Sequence, residues 1–211
     1  MKRLLRLVGA PLAFVFVLAT PLAASASTQD RYSVAGEGAD AIFATCPGEP
    51  VPGQICSVVF IGLNSQVTKA DGTKSSATSL SIGISKYTID LSGNYVSISE
   101  TAGFGLPRWS LDAKLTHASA TASFAVITCA GFDCVDGTVT VVASWTGQDD
   151  LIHEVFNLHI AKGGFTANLH FNGNTRNASA SVSVNGEDLG TSLYADIRNL
   201  KTGQIVICHF C

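Results

Sequence analysis

The sequence predicts an all-β fold, an antiparallel β-sandwich or open barrel with local disulfides. Two observations carry that expectation. Behind an apolar leader, short runs rich in Val, Ile, Thr, Ser and Phe alternate apolar and polar residues with a period of two. Gly, Asn and Asp punctuate those runs where turns need them, and no helical stripe of useful length interrupts the pattern.

The leader comes first. Lys2, Arg3 and Arg6 precede an apolar run from Leu7 to Ala19, followed by Pro21 and Ala23-Ala24-Ser25-Ala26. This is a charged n-region, a short h-region and an A-x-A cleavage site, so residues 1–26 are expected to be a signal peptide. The run falls short of the ~20 residues that span a bilayer. Arg3 and Arg6 are not adjacent, which removes a twin-arginine signal, and no cysteine near the site could take a lipid. The segment Ile205–Cys211 is too short for a hydrophobic tail, so the mature protein is expected to be soluble, without stable membrane insertion.

Cleavage of 26 from 211 residues leaves 185, read as one secreted β domain over 27–211 or as two intimately packed halves. Three of the 13 basic residues leave with the leader while all 16 acids stay, giving a net charge of −6. A chain of this size buries ~70% of its unfolded surface and needs no metal to fold. Its acidity excludes nucleic acid, which demands a basic stripe.

Six cysteines, Cys46, Cys56, Cys129, Cys134, Cys208 and Cys211, follow the leader. An even count in an exported chain reads as disulfides. Local pairing is expected: Cys46–Cys56 and Cys129–Cys134 flank turn chemistry, and Cys208–Cys211, with two residues between, is the least secure. Each short loop so closed stabilises by roughly 2–3 kcal/mol.

The strands are expected at 39–44, 54–63, 79–90, 95–100, 138–146, 151–161, 165–172, 177–184, 191–199 and 204–210, with a long run over 109–129. In that run apolar residues change phase between Leu115 and Ala122, which requires a bulge or strand break near Thr116-His117-Ala118. Leu91-Ser92-Gly93-Asn94 reads as a turn. A hairpin looping at Lys162-Gly163 would pair Ile160 with Phe165, Leu158 with Ala167 and Phe156 with Leu169, all on one face. Gly62 with Gly147, and Gly93-Asn94 with Gly173-Asn174, echo each other weakly at unequal spacings, as chance resemblance would.

Candidate sites argue themselves down. His153-Glu154 lacks the second histidine of H-E-x-x-H, because residue 157 is Asn157, and the segment alternates as a strand where that motif needs a helix. In the expected hairpin His159 and His170 lie more than ~10 Å apart, whereas His153 and His170 are diagonal neighbours. Surface histidines are the simpler reading. Cys129-x4-Cys134 with Cys208-x2-Cys211 has zinc-ribbon spacing, yet export favours bridges over thiolates. Cys208-x2-Cys211 resembles a redox dithiol but ends a strand, where no helix N-terminus lowers a thiol pKa. Asp133, Asp136, Asp149 and Asp150 lack the D-x-D-x-D-G order of a calcium loop. Trp109 and Trp145 fall on inward positions, favouring core over a sugar platform. Asn177-Ala178-Ser179 matches a short glycosylation sequon, and neither G-x-S-x-G nor S-x-x-K occurs.

No catalytic, cofactor or metal residues are assigned. The function expected is that of a secreted or periplasmic, non-enzymatic β protein that binds a carbohydrate or protein surface or serves in the envelope. The other class is a secreted hydrolase whose site assembles from loops, for which a cleft holding His153, His170 and an acid would be the mark.

Overall fold

The computed structural model describes residues 29–46, 48–70, 72–162 and 165–209. The expected signal peptide therefore lies outside the described residues. Among the described residues eleven strands form one antiparallel system: β1 (Gln29–Ala44), β2 (Cys56–Ala70), β3 (Thr73–Ile89), β4 (Tyr95–Gly105), β5 (Arg108–Leu111), β6 (His117–Ala130), β7 (Asp133–Gly147), β8 (Ile152–Lys162), β9 (Phe165–Val184), β10 (Glu187–Asp188) and β11 (Tyr194–His209).

Eight of these close a circuit. β1 pairs with β2, β2 with β3, β3 with β4, β4 with β6, β6 with β7, β7 with β9, β9 with β11, and β11 returns to β1. The circuit turns one face of each strand inward. Phe43, Ile61, Leu63, Leu80, Val141, Trp145, Val182 and Ile197 fill the interior, together with small alanines such as Ala39, Ala41 and Ala120. Strict alternation in β6 and β7 sends Ser119, Thr121, Ser123, Thr140 and Ser144 outward. Cross-strand hydroxyl pairs line this outer face, as at Ser123–Thr140 (2.8 Å) and Ser110–Ser119 (2.8 Å). Trp145 and Trp109 lie in or against the core, as their phase predicts.

The phase change in the long run is a strand break. Asp112 ends β5 and accepts from the backbone N–H of Lys114 (2.8 Å), Thr116 (3.0 Å) and His117 (2.6 Å), and from Thr116 Oγ1 (2.6 Å). Leu115 completes the turn at φ 58° and drives its side chain into the core.

Six strands run on past the barrel as an open sheet, here called the wing: the first part of β3, the second part of β2, the first of β1, the last of β11, the first of β9, and β8. One bulge between Leu200 and Thr202, where β11 carries a residue more than either β1 or β9, marks the departure. Gly36 and Gly173 flank Leu200 at this level. A Cβ on either would run into a neighbouring carbonyl, that of Ser65 or Asn199, so only glycine lets the backbones approach. Gly173-Asn174 is thus mid-strand, whereas Gly93-Asn94 is a true turn with Gly93 at φ 83°.

β8 continues β7 along the same edge of β9. The β7/β9 register sets Gly147 opposite Ala178, and β8 resumes with Ile152 opposite Thr175. Five steps on one chain thus face three on the other. The two surplus residues are taken up at Gln148–Leu151, where Asp149 adopts φ 57° and its carbonyl and carboxylate receive Arg176 Nη1 (3.0 Å) and Asn177 Nδ2 (3.2 Å). The hairpin register is accordingly two residues from the expected one: Ile160 faces Ala167, Leu158 faces Leu169 and Phe156 faces Phe171. A shift of two leaves the faces unchanged. The connecting Gly163-Gly164 lies outside the described residues, but Lys162 pairs with Phe165, so Lys162 belongs to the strand and not to the loop.

Cys46 is bonded to Cys56, and Cys129 to Cys134 across the β6/β7 hairpin. Cys208 is disulfide-bonded, and Cys211 lies outside the described residues. Two bridges between local partners fit an oxidising environment.

Candidate functional site

The wing carries two faces of opposite character. On one, Phe156, Leu158 and Ile160 of β8 adjoin Leu169 and Phe171 of β9, which in turn adjoin Ile205 and Gly203 of β11. Phe156 and Phe171 are tilted rings 6.2 Å apart. This face continues the outside of the barrel, so nothing packs over β8: Phe156, Leu158 and Ile160 stay 52%, 40% and 44% exposed.

The other face holds a ladder of histidine–asparagine pairs. His153 stands opposite Asn174, Asn157 opposite His170, and His159 opposite Asn168. His159 Nδ1 lies 2.7 Å from Asn168 Oδ1, and His170 Nδ1 binds Asn157 Oδ1. In both, the ring N–H donates to the amide oxygen. The Asn174 amide meets His153 Nδ1 at 3.1 Å. With its nitrogen turned to that ring and to Gly173 O, its oxygen accepts from Lys201 Nζ at 3.0 Å.

The two-residue register shift changes which histidines meet. His153 and His170 were expected to be diagonal neighbours; four residues now separate them along the strands, ~14 Å. His159 and His170 are the diagonal pair instead. Glu154 points to the apolar face, where its carboxylate accepts from Thr175 Oγ1 at 3.1 Å. His153 and His170, which with an acid would mark a hydrolytic cleft, therefore stand apart along the ladder. Among the described residues no three His, Cys, Asp or Glu side chains converge as metal ligands. Asp133, Asp136, Asp149 and Asp150 are all exposed, and Asn177 is exposed with its amide on Asp149.

One cluster was not visible in the sequence. Asp40 and Asp196 stand directly opposite on β1 and β11, both nearly buried on the outer face of the barrel. Arg198 Nη1 bridges them, reaching Asp196 Oδ1 at 3.0 Å and Asp40 Oδ2 more closely. Tyr194 OH donates to Asp196 Oδ2 at 2.7 Å, and the buried Trp145 indole donates from inside to the Asp40 carbonyl at 3.0 Å. Burial holds the Asp40 carboxyl above the usual carboxylate range, against the pull of Arg198. Burial and the Asp196 hydrogen bond likewise raise the Tyr194 phenol. Burial opposes the charge on Arg198, but Asp40 and Asp196 outweigh it and raise its pKa. Both carboxylates are committed to one guanidinium, so the cluster pins the β1/β11 seam. The only sequence signal was charge at strand positions where the period-two pattern asks for solvent.

An open apolar groove of about 770 Å³ lies along the β4/β6 seam, lined by Ala102, Gly103, Phe104, Val126, Ile127 and Thr138. A smaller one, about 330 Å³, runs along the ladder past Asn157, His159, Asn168, His170 and Gln204.

No protein-family model matches the chain, and no curated protein matches it. Among solved structures, the chain is similar at 8% identity to a Nitrosomonas europaea protein provisionally designated AttH, over 87% of this chain and 52% of that one. The TM-score of 0.23 is too low to carry an argument about fold or function.

Proposed function

We propose that the chain is an exported, non-enzymatic binding protein whose docking element is the free edge of β8, where a partner adds an extended strand to the wing. One observation carries the reading. β8 pairs with β9 alone among the described residues, leaving an eleven-residue edge with a bare apolar face beside it. Exposed edges of this kind are the usual acceptors for strand addition. The leader-like segment 1–26 and the bridges Cys46–Cys56 and Cys129–Cys134 support export to an oxidising space, secreted or periplasmic. A barrel with serines and threonines outside and apolar residues inside is the inverse of a lipid-facing barrel, which supports a mature protein in water.

A fluorescein-labelled nonapeptide alternating Val and Thr is a suitable probe. It is expected to bind the mature chain and to slow hydrogen exchange at β8 amides. No binding at roughly millimolar peptide, well above the micromolar affinities typical of strand addition to a small interface, would refute the reading.

A further inference from the structure

We infer that the partner at this edge is a second copy of the chain, joined by antiparallel β8–β8 pairing with Leu158 opposite Leu158. The inference rests on the reading of β8 as a strand acceptor.

The wing has two outer edges, and they differ in kind. The first part of β3, Thr73-Lys74-Ser75-Ser76-Ala77-Thr78, is polar and carries a lysine, the usual means of blunting an edge. From Val155 to Ala161, β8 has no charged residue and alternates Val, Asn and His with Phe, Leu and Ile. Charge appears only towards its two ends, as Glu154 and Lys162, of opposite sign and symmetrically placed about Leu158.

Two-fold antiparallel pairing restricts the registers. The axis stands perpendicular to the sheet, so each face continues into its own copy and one residue must face itself. Centring on Leu158 sets Phe156 against Ile160 and Glu154 against Lys162 of the second copy. On the other face it sets Asn157 against His159, repeating across the new seam the Asn–His pairing that β8 already makes with β9. Centring on Asn157 instead puts Glu154 against Ile160 and Lys162 against Ile152. Centring on Phe156 puts Glu154 against Leu158 and His153 against His159. Cross-strand pairs stabilise a sheet when they are apolar or opposite in charge. Only the Leu158-centred register makes every pair compatible, over the nine residues 154–162.

Sedimentation of the full mature chain tests this, with far-UV circular dichroism confirming that each variant is folded. The native chain is expected to pass from monomer to dimer with rising concentration, in the micromolar range set by a small interface. Glu154→Lys places like charges at both symmetry-related pairs and should weaken the dimer about tenfold. Adding Lys162→Glu should restore it, and Leu158→Lys, which sets two ammonium groups face to face, should abolish it. A dimer that survives Leu158→Lys, or one that Glu154→Lys weakens and the double exchange does not rescue, overturns the register. A chain monomeric at every concentration overturns the inference. If the Val/Thr peptide still binds that monomer, β8 accepts a foreign strand and the proposed function stands. If it does not, both fall.

Discussion

Arg198→Met should be the most informative single change in the barrel. Among the described residues the guanidinium is the one cation bonded to Asp40 and Asp196, which face each other across β1 and β11. Directly opposed residues stand about 5 Å apart at Cβ. Two like charges at that distance repel by about 3 kcal/mol at an effective dielectric constant near 20. Breaking a buried ion pair from one side costs about 3–5 kcal/mol, consistent with that figure, and a large part of the 5–15 kcal/mol that holds a domain of ordinary stability. The pH dependence has a definite sign. Burial already raises the Asp40 carboxyl, and removal of Arg198 raises it further, so the native state takes up a proton that the unfolded chain releases. Stability of the variant therefore falls as pH rises through that raised native value, and its deficit is greatest near neutrality and smaller towards pH 4. Urea unfolding followed by circular dichroism at pH 7 and pH 4.5 measures both. A loss under about 1 kcal/mol at pH 7, or a larger loss at pH 4.5 than at pH 7, would refute the reasoning.

Other expectations follow from single groups. Trp145→Phe should cost about 1–3 kcal/mol by unpairing the Asp40 carbonyl, and Trp145→Ala about 3–5 kcal/mol, both read from urea midpoints; a Trp145→Phe cost near zero would mean the indole bond contributes nothing. The hydrogen bonds from Thr116, His117 and Lys114 outweigh desolvation and bring the Asp112 carboxyl down to about 2. Its contribution to stability is thus present above the ordinary carboxylate value and lost as pH falls through about 2; an NMR titration with an ordinary midpoint would contradict the turn. If the chain is exported and cleaved as expected, its intact mass should begin at Ser27 and gain six daltons on reduction, and free thiols would contradict the three expected bridges.

How much of this was legible in the sequence depended on whether a strand has one buried face. Runs such as 139–145, with Val139, Val141, Ala143 and Trp145 inward, announced themselves through alternation. The wing did not. Ser65-Gln66-Val67-Thr68-Lys69 and Thr73-Lys74-Ser75-Ser76 have neither face sealed, so no apolar period marks them as strand. β9 and β11 were each divided in two, at 173–176 and 200–203, whereas in the fold β9 runs unbroken through Gly173-Asn174 and β11 through the bulge at Leu200/Thr202. The hairpin missed by two residues because Lys162, read as part of the loop, is the last paired residue of β8, opposite Phe165. The Asp40–Arg198–Asp196 cluster joins residues more than 150 positions apart, and no local pattern connects them.

Hydrogen exchange of the mature chain at low concentration tests the account most directly, because it asks whether β8 has one partner edge or two. Successive amides in an antiparallel strand point to opposite edges. Along β7, from Val141 to Thr146, amides of both sets should be slow, since β6 and β9 flank it. Along β8 the amides that reach β9 should be slow and the alternate ones fast. Uniform protection of β8 in the monomer, or uniform loss of protection on both sides, would contradict the open edge on which the proposed function is built.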